Sequence, residues 1–215
     1  MKPLLVLAAF PVVLMGWMSC SRSGTGHAAL PDPRTVDKSV PEYKNPFHPS
    51  TYAHFVARKD YRKTYDVYKD DTLLNRQPKK SRKIFVCLDE QRGQYLVDGL
   101  VAMDFPLSSG VKAYPTKTGD YAVISKKEDH TSNLYGKMYD AEGKCINYNA
   151  ESTDPVPEGG RFDGSPMPYW QRLTNAGLGL HVGKVRRHPV SHGCVRLPRN
   201  VAEILYRQTS IGTPV

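Results

Sequence analysis

The stretch Ser191-His192-Gly193-Cys194-Val195-Arg196-Leu197-Pro198 gathers a serine, a histidine, a cysteine and an arginine around one glycine. A second histidine, His181, lies just upstream in the short apolar run Leu178-Gly179-Leu180-His181-Val182. Cysteine with histidine is the smallest set that supports thiolate nucleophilic catalysis. Gly193 beside the cysteine lets a substrate carbonyl approach the backbone, whose N–H groups can hold a developing oxyanion. Cys194 is therefore the candidate nucleophile. A free thiol titrates near about 8.5, so it needs help from a neighbour at neutral pH. The same residue types also suit a zinc site built from His181, His188, His192 and Cys194. Against it stand the lack of a paired Cys-x-x-Cys element and the loss of the nucleophile in a closed site.

These residues must be held by strands. From residue 83 the chain reads as mostly β: Ile84, Val86 and Leu88 alternate with Phe85 and Cys87, as in a strand buried on both faces. Glu90-Gln91-Arg92-Gly93 forms a turn, Gln94 to Val97 returns, and Asp98-Gly99 is a two-residue hairpin signal leading into Leu100 to Leu107. Pro115-Thr116-Lys117-Thr118-Gly119 is a turn before a strand over 121–124. Further strands are expected over 144–149 and 178–182, and a closing strand over 212–215. Asp154 to Pro168 is a Pro/Gly-rich excursion, the composition of a binding loop or lid. Asn200 with Glu203 suggests a capping box at the start of a helix that buries Ile204 and Leu205. The expected fold is mainly β, a sandwich with a few short helices.

Upstream, Lys2 precedes an apolar run from Leu4 to Met18, too short for a comfortable span, so residues 1–19 read as an export signal. Cys20 directly after it resembles the lipidated cysteine of the bacterial lipobox, although Trp17 and Met18 fit that box poorly. Residues 20–50 are rich in Ser, Gly, Pro and charge and read as a flexible tether. Residues 51–82 read as a helical and basic connector. Ser50 is a possible cap there, Tyr52, Phe55 and Val56 share a helical face, and Tyr61, Tyr65 and Tyr68 continue at helical spacing. The connector is expected to pack on the main domain at residues 83–215. The 215 residues carry a formal charge of +9. That charge suits anionic envelope surfaces, whereas scattered cations without a basic helix or an RNA-binding aromatic pattern argue against nucleic acid.

The segment from 83 to 215 resembles the L,D-transpeptidase catalytic domain, the YkuD family. The resemblance is carried by Pro115-Thr116-Lys117-Thr118-Gly119-Asp120-Tyr121, Met167-Pro168-Tyr169-Trp170, His181-Val182-Gly183 and Ser191-His192-Gly193-Cys194. The sequence departs from the family where Arg196 replaces a common asparagine, where Lys117 replaces a proline, and in a spacing of nine residues between His181 and Ser191.

The resemblance implies a β-sandwich of the L,D-transpeptidase type and a cysteine acyltransferase needing no cofactor or metal. His181 would be the base and then the proton donor, oriented by a third group, often a backbone carbonyl. The N–H groups of Gly193 and Cys194 would be oxyanion donors, and His192 and Ser191 would shape the loop. Arg196 would hold a substrate carboxylate or serve a structural ion pair. Tyr169 and Trp170 would line the cleft or belong to the core, and His188 would be a surface residue. The implied partners are peptidoglycan stem peptides and, through Cys20, a membrane, for a monomer in the cell envelope. The acyl group would come from the L-centre diamino acid at position three of a tetrapeptide, with D-alanine leaving. An amine acceptor gives a 3→3 cross-link, water a carboxypeptidase, and a protein lysine an anchoring enzyme. Outside this chemistry stand a stem-hydrolysing cysteine peptidase and a non-catalytic envelope-binding protein. A Cys87–Cys145 disulfide and two buried thiols are both open.

Overall fold

The computed structural model describes residues 31–77 and 81–215. Residues 1–19, expected to be an export signal, and Cys20 lie outside the described residues. The first half of the domain is a meander: β2 (Arg82–Cys87), β3 (Arg92–Val97) and β4 (Leu100–Pro106), antiparallel throughout. Asp98 (φ 51°) and Gly99 (φ 79°) form the β3–β4 turn, and two left-handed residues match the twist of the paired strands. β1 (Tyr68–Lys69) adds to the β4 edge, giving the order β1-β4-β3-β2.

A second sheet has the order β11-β10-β9-β5, with β5 Ser125–Lys127, β9 Trp170–Arg172, β10 Gly179–Val182 and β11 Val195–Leu197. Strands β10 and β11 run parallel, pairing Leu180 with Val195 and His181 with Arg196. The two sheets share one core. Ile84, Tyr95, Met103 and Phe105 meet Leu180, Val195 and Leu197, with Val201, Ala202 and Leu205 of helix α3 (Arg199–Gln208) closing it. The fold is mainly β, as expected from the alternation.

A third sheet, order β7-β6-β8, stands over the second: β6 is Thr131–Tyr139, β7 Cys145–Glu151 and β8 Arg161–Pro166. The expected 144–149 strand is β7. Part of the 154–168 excursion is not loop but β8, and β6 lacked the alternation that marks a strand. The expected strands at 121–124 and 212–215 are reduced to a bridge between Ala122 and Pro214 and backbone bonds between Tyr121 and Val215 (2.9 and 2.8 Å).

Two helix caps differ from the sequence expectation. Helix α3 begins at Arg199, so Asn200 is already helical, and Glu203 pairs with Arg207 (2.7 Å) in place of a capping box. Its C-terminal carbonyls, which lack helical partners, are taken by side chains: Lys126 Nζ donates to Tyr206 O and Thr209 O, and Arg82 and Tyr95 donate to Gln208 O. Helix α1 (Tyr52–Ala57) is capped by Thr51, whose Oγ1 accepts from His54 N (3.2 Å), not by Ser50. It ends at Arg58, which turns extended and pairs with Asp60 and Asp66 (both 2.7 Å), so Tyr61, Tyr65 and Tyr68 are not helical neighbours.

Of these, Tyr61 joins Tyr52 in a buried clasp, while Tyr65 is exposed and donates to Arg186 O (3.2 Å). Asp104, fully buried on β4, binds Arg92 of β3 (2.5 Å) and accepts from Tyr52 (2.7 Å) and Tyr61 (2.8 Å). Residues 31–50, read as tether, lie against this region from Arg34 onward. Arg34 meets Glu90 (3.5 Å), Lys38 Nζ donates to Val56 O (2.6 Å) and Phe47 is buried. A short helix α2 (Asp71–Asn75) sets Leu73 and Leu74 into the core. Among the described residues no helix is long and apolar enough to cross a membrane.

Candidate active site

Strand alternation decides what the site presents. In β10 and β11, Leu180, Val195 and Leu197 point into the core, with exposures of 1, 2 and 1%. Residues of the opposite parity therefore face away from it. On that face lie Gly179, His181, Cys194 and Arg196, and the last three line a cleft of about 730 Å³ beneath the β6–β8 sheet. Parallel pairing supplies the proximity that residue spacing alone leaves undefined.

His181 is buried, and its Nδ1 lies 2.7 Å from Val182 O. A carbonyl can only accept, so Nδ1 carries the proton and Nε2 keeps a free lone pair. Burial pushes the His181 pKa down to about 4, with Arg196 and His130 adding to the effect and the Val182 bond opposing it. The Trp170 ring packs 5.9 Å from the imidazole, and the His130 ring packs 5.0 Å from Trp170.

The Cys194 thiol donates to Gly177 O (3.3 Å). Burial raises its pKa above the ordinary thiol range, while a Gly179 N–H bond and the Arg196 charge pull the other way. Both groups are therefore neutral at pH 7: His181 is ready to accept a proton and Cys194 still holds one.

The loop that carries Cys194 is bound from two sides. Ser191, buried, donates from Oγ to Cys194 O (2.5 Å) and accepts from Gly193 N (3.2 Å). The Gly193 N–H expected as an oxyanion donor is thus engaged in the resting loop. Gly193 has φ +112°, a conformation that favours glycine. Its carbonyl accepts from Thr116 Oγ1 (2.6 Å), which itself accepts from Gly110 N (2.8 Å). Gly110 admits no side chain, since a Cβ there would sit 2.1 Å from Tyr114 O and 2.8 Å from Gly193 Cα. Thr116 was expected only as part of the 115–119 turn; its bond to Gly193, 77 residues away, depends on the tertiary fold.

His192 is exposed and stacked on Tyr135 of β6 (4.4 Å, 22°), with Tyr114 at 4.8 Å on another side. This ties the Cys194 loop to the overhanging sheet. Of the Tyr169-Trp170 pair, Trp170 lines the cleft although only 2% exposed, whereas Tyr169 packs on the core and against Tyr206 (5.6 Å). His188 is exposed and lies outside the cleft lining. Arg196 enters no ion pair among the described residues, so the structural-pair reading of it fails for want of a carboxylate. Among the described residues no group of three or more His, Cys, Asp or Glu could hold a metal ion, so His181, His188, His192 and Cys194 do not assemble as the zinc alternative requires. Cys87 on β2 and Cys145 on β7 belong to different sheets and form no disulfide.

Residues 81–215 match the family model for the L,D-transpeptidase catalytic domain, YkuD. The chain belongs to the L,D-transpeptidase family. Its sequence is 32% identical over 117 residues to the probable L,D-transpeptidase 3 of Mycobacterium tuberculosis, covering 51% of this chain and 36% of that one. It therefore spans little more than a third of that curated relative. Among solved structures, an L,D-transpeptidase from Mycobacterium smegmatis shares 22% identity over 62% of this chain and 57% of that one, at a TM-score of 0.48. One from Stackebrandtia nassauensis shares 22% over 76% and 64%, at a TM-score of 0.46. Within this L,D-transpeptidase domain the cleft described above is the candidate active site.

Proposed function

We propose that this L,D-transpeptidase acts through Cys194 as nucleophile and His181 as base on tetrapeptide stems of peptidoglycan. The reading is carried by one observation: His181 on β10 and Cys194, immediately before the parallel strand β11, face one cleft, with the imidazole tautomer pinned by Val182 O. The thiol proton passes to His181 Nε2 as Sγ bonds the carbonyl carbon of the third residue. Because both groups rest neutral, proton transfer accompanies attack in place of a preformed ion pair. Backbone donors of the nucleophile loop hold the oxyanion, Gly193 N–H by exchanging its 3.2 Å bond to Ser191 Oγ. The C–N bond then breaks, His181 protonates the departing D-alanine amine, and a thioester remains. An acceptor amine attacks the thioester and gives its proton to His181, and the C–S bond breaks; the expelled Cys194 thiolate takes that proton from His181, leaving a 3→3 cross-link and the neutral pair.

The protein is further proposed to work in the cell envelope, exported by residues 1–19 and held by a lipid on Cys20, on the strength of the sequence pattern alone. The test is intact mass of the whole mature chain after incubation with a carbapenem, beside Cys194→Ala, followed by product analysis on tetrapeptide muropeptides. A single adduct on the wild type only, and cross-linked dimers, are expected. Shortened monomers alone would assign a carboxypeptidase or peptidase. Absence of an adduct on folded, reduced protein would remove the activated-thiol mechanism and favour a binding protein.

A further inference from the structure

The cleft that holds Cys194 is lined by Lys117, Arg172, Lys184 and Arg196, and by no aspartate or glutamate. None of these four cations takes part in any ion pair among the described residues. The chain pairs cations elsewhere, as in Arg92–Asp104, Arg34–Glu90 and Arg58–Asp66, so an acid-free cleft is a local feature. A second groove continues from it past His130, Trp170 and Arg172 and adds Lys127, again with no acid.

Arg196 is the most constrained of the four. It follows the nucleophile by two residues on the same strand face, roughly 6.6 Å along the chain. Its backbone is bonded to Ser108 on one side (N···O 2.8 and 3.1 Å) and paired with His181 of β10 on the other. Its alkyl stem lies flat on Gly183, where a Cβ would come within 2.7–3.0 Å of Arg196 Cβ, Cγ and Cδ. A larger residue at 183 would push the guanidinium off this course. The side chain is half-buried, and no acidic side chain balances its charge. A desolvated guanidinium in that state is completed by a carboxylate, which it can hold through two parallel hydrogen bonds.

We propose that this cleft reads carboxylates: Arg196 anchors one carboxylate of the stem beside the scissile carbonyl, with Arg172 and Lys184 along the walls. Stems whose diamino-acid side chain ends in a free carboxylate are thereby selected over the carboxamide form. The inference rests on the transpeptidase reading for the identity of the stem, but the charge selectivity of the cleft does not. Replacing a carboxylate by a carboxamide removes the charge that makes an arginine hydrogen bond strong, an effect of about 10- to 100-fold.

Two experiments on the full chain separate these layers. The first compares alkylation of Cys194 by iodoacetate and iodoacetamide, read by intact mass and normalised to the same pair on N-acetylcysteine. Wild type should favour the anionic reagent by about tenfold. Arg196→Gln should lower that ratio severalfold, Arg196→Lys should keep part of it, and Arg207→Gln on the remote helix should not change it. Raising salt from about 0.05 to about 0.5 M should weaken it in the wild type. A normalised ratio near one in wild type at low salt would overturn the proposal without any variant having to fold. The second measures turnover of matched tetrapeptide stems, free acid against amide. Preference for the acid by about tenfold or more is expected; equal turnover, or preference for the amide, refutes the selection. If neither stem reacts while the alkylation ratio holds, the transpeptidase reading fails and the anion-reading cleft stands.

Discussion

Replacing Asp104 by alanine should unfasten residues 31–69 from the catalytic domain. The carboxylate is fully buried, with Arg92 Nε at 2.5 Å, Tyr52 and Tyr61 hydroxyls at 2.7 and 2.8 Å, and Gln94 Nε2 at 3.4 Å. Its loss leaves Arg92 in the interior with only Thr64 O (3.2 Å), Asp66 O (3.1 Å) and the rings of Phe55 and Tyr61 as partners. Stranding one member of a buried pair costs about 3–5 kcal/mol. The two tyrosine hydroxyls lose an acceptor as well, but these terms share one group and do not add in full. A total of about 4–5 kcal/mol is expected, a large part of an ordinary domain's stability, lowering the melting temperature by roughly 8–20 °C. Urea denaturation followed by tryptophan fluorescence gives the free energy, and limited proteolysis reports whether cleavage moves into residues 31–69. The double variant Arg92→Met/Asp104→Leu should recover most of the loss, because an apolar pair of similar size leaves no charge behind. A loss below about 1 kcal/mol for Asp104→Ala, with no new cleavage, would refute the clasp.

Other outcomes follow from the site. Iodoacetamide should modify Cys194 slowly at pH 7, its rate still climbing above about 8.5, the ordinary thiol value, because burial raises the thiol; a rate already on a plateau at neutral pH would contradict the neutral resting pair. His181 is pushed down to about 4 in the fold, against about 6.5 in the unfolded chain. The unfolded state therefore takes up its proton first. The contribution of His181 is intact above about 6.5 and is lost as pH falls toward 4, by about 3 kcal/mol across the window. His181→Gln should flatten that acid limb of the stability profile, and an unchanged limb would show that other groups set it. Thr116→Val removes the donor to Gly193 O and the acceptor for Gly110 N–H, so it should cost about 1–3 kcal/mol and slow Cys194 acylation more than it weakens stem binding; a pure rise in KM would speak against a loop-positioning role.

Much of the site could be read along the chain because its logic is local. Cys194 and Arg196, like Gly179 and His181, are two positions apart, so in extended chain each pair points the same way. Asp98-Gly99 is a hairpin turn because those residues tolerate positive φ, and the turn formed as expected. The helix caps were less legible. Asn200 and Ser50 are good capping residues by type, yet Pro198 and Thr51 occupy the caps, since packing of Val201, Ala202, Leu205, Phe55 and Val56 sets where each helix meets the core. The strand β6, Thr131–Tyr139, gave no alternating signal because much of it stays exposed on the overhanging sheet.

Residue types and short spacing were sufficient to single out Cys194 and His181 as candidates, and to read the mainly β character and the excess of positive charge. Long-range pairing supplied everything that depends on which elements meet. Parallel β10 and β11 put His181 beside the strand that follows Cys194. Tyr52 and Tyr61 reach Asp104 from 52 and 43 residues away. Cations from four separate segments converge on one cleft without an acid among them. Burial, which no single position in a sequence reveals, then lowers the imidazole, raises the thiol and leaves Arg196 without a counter-charge.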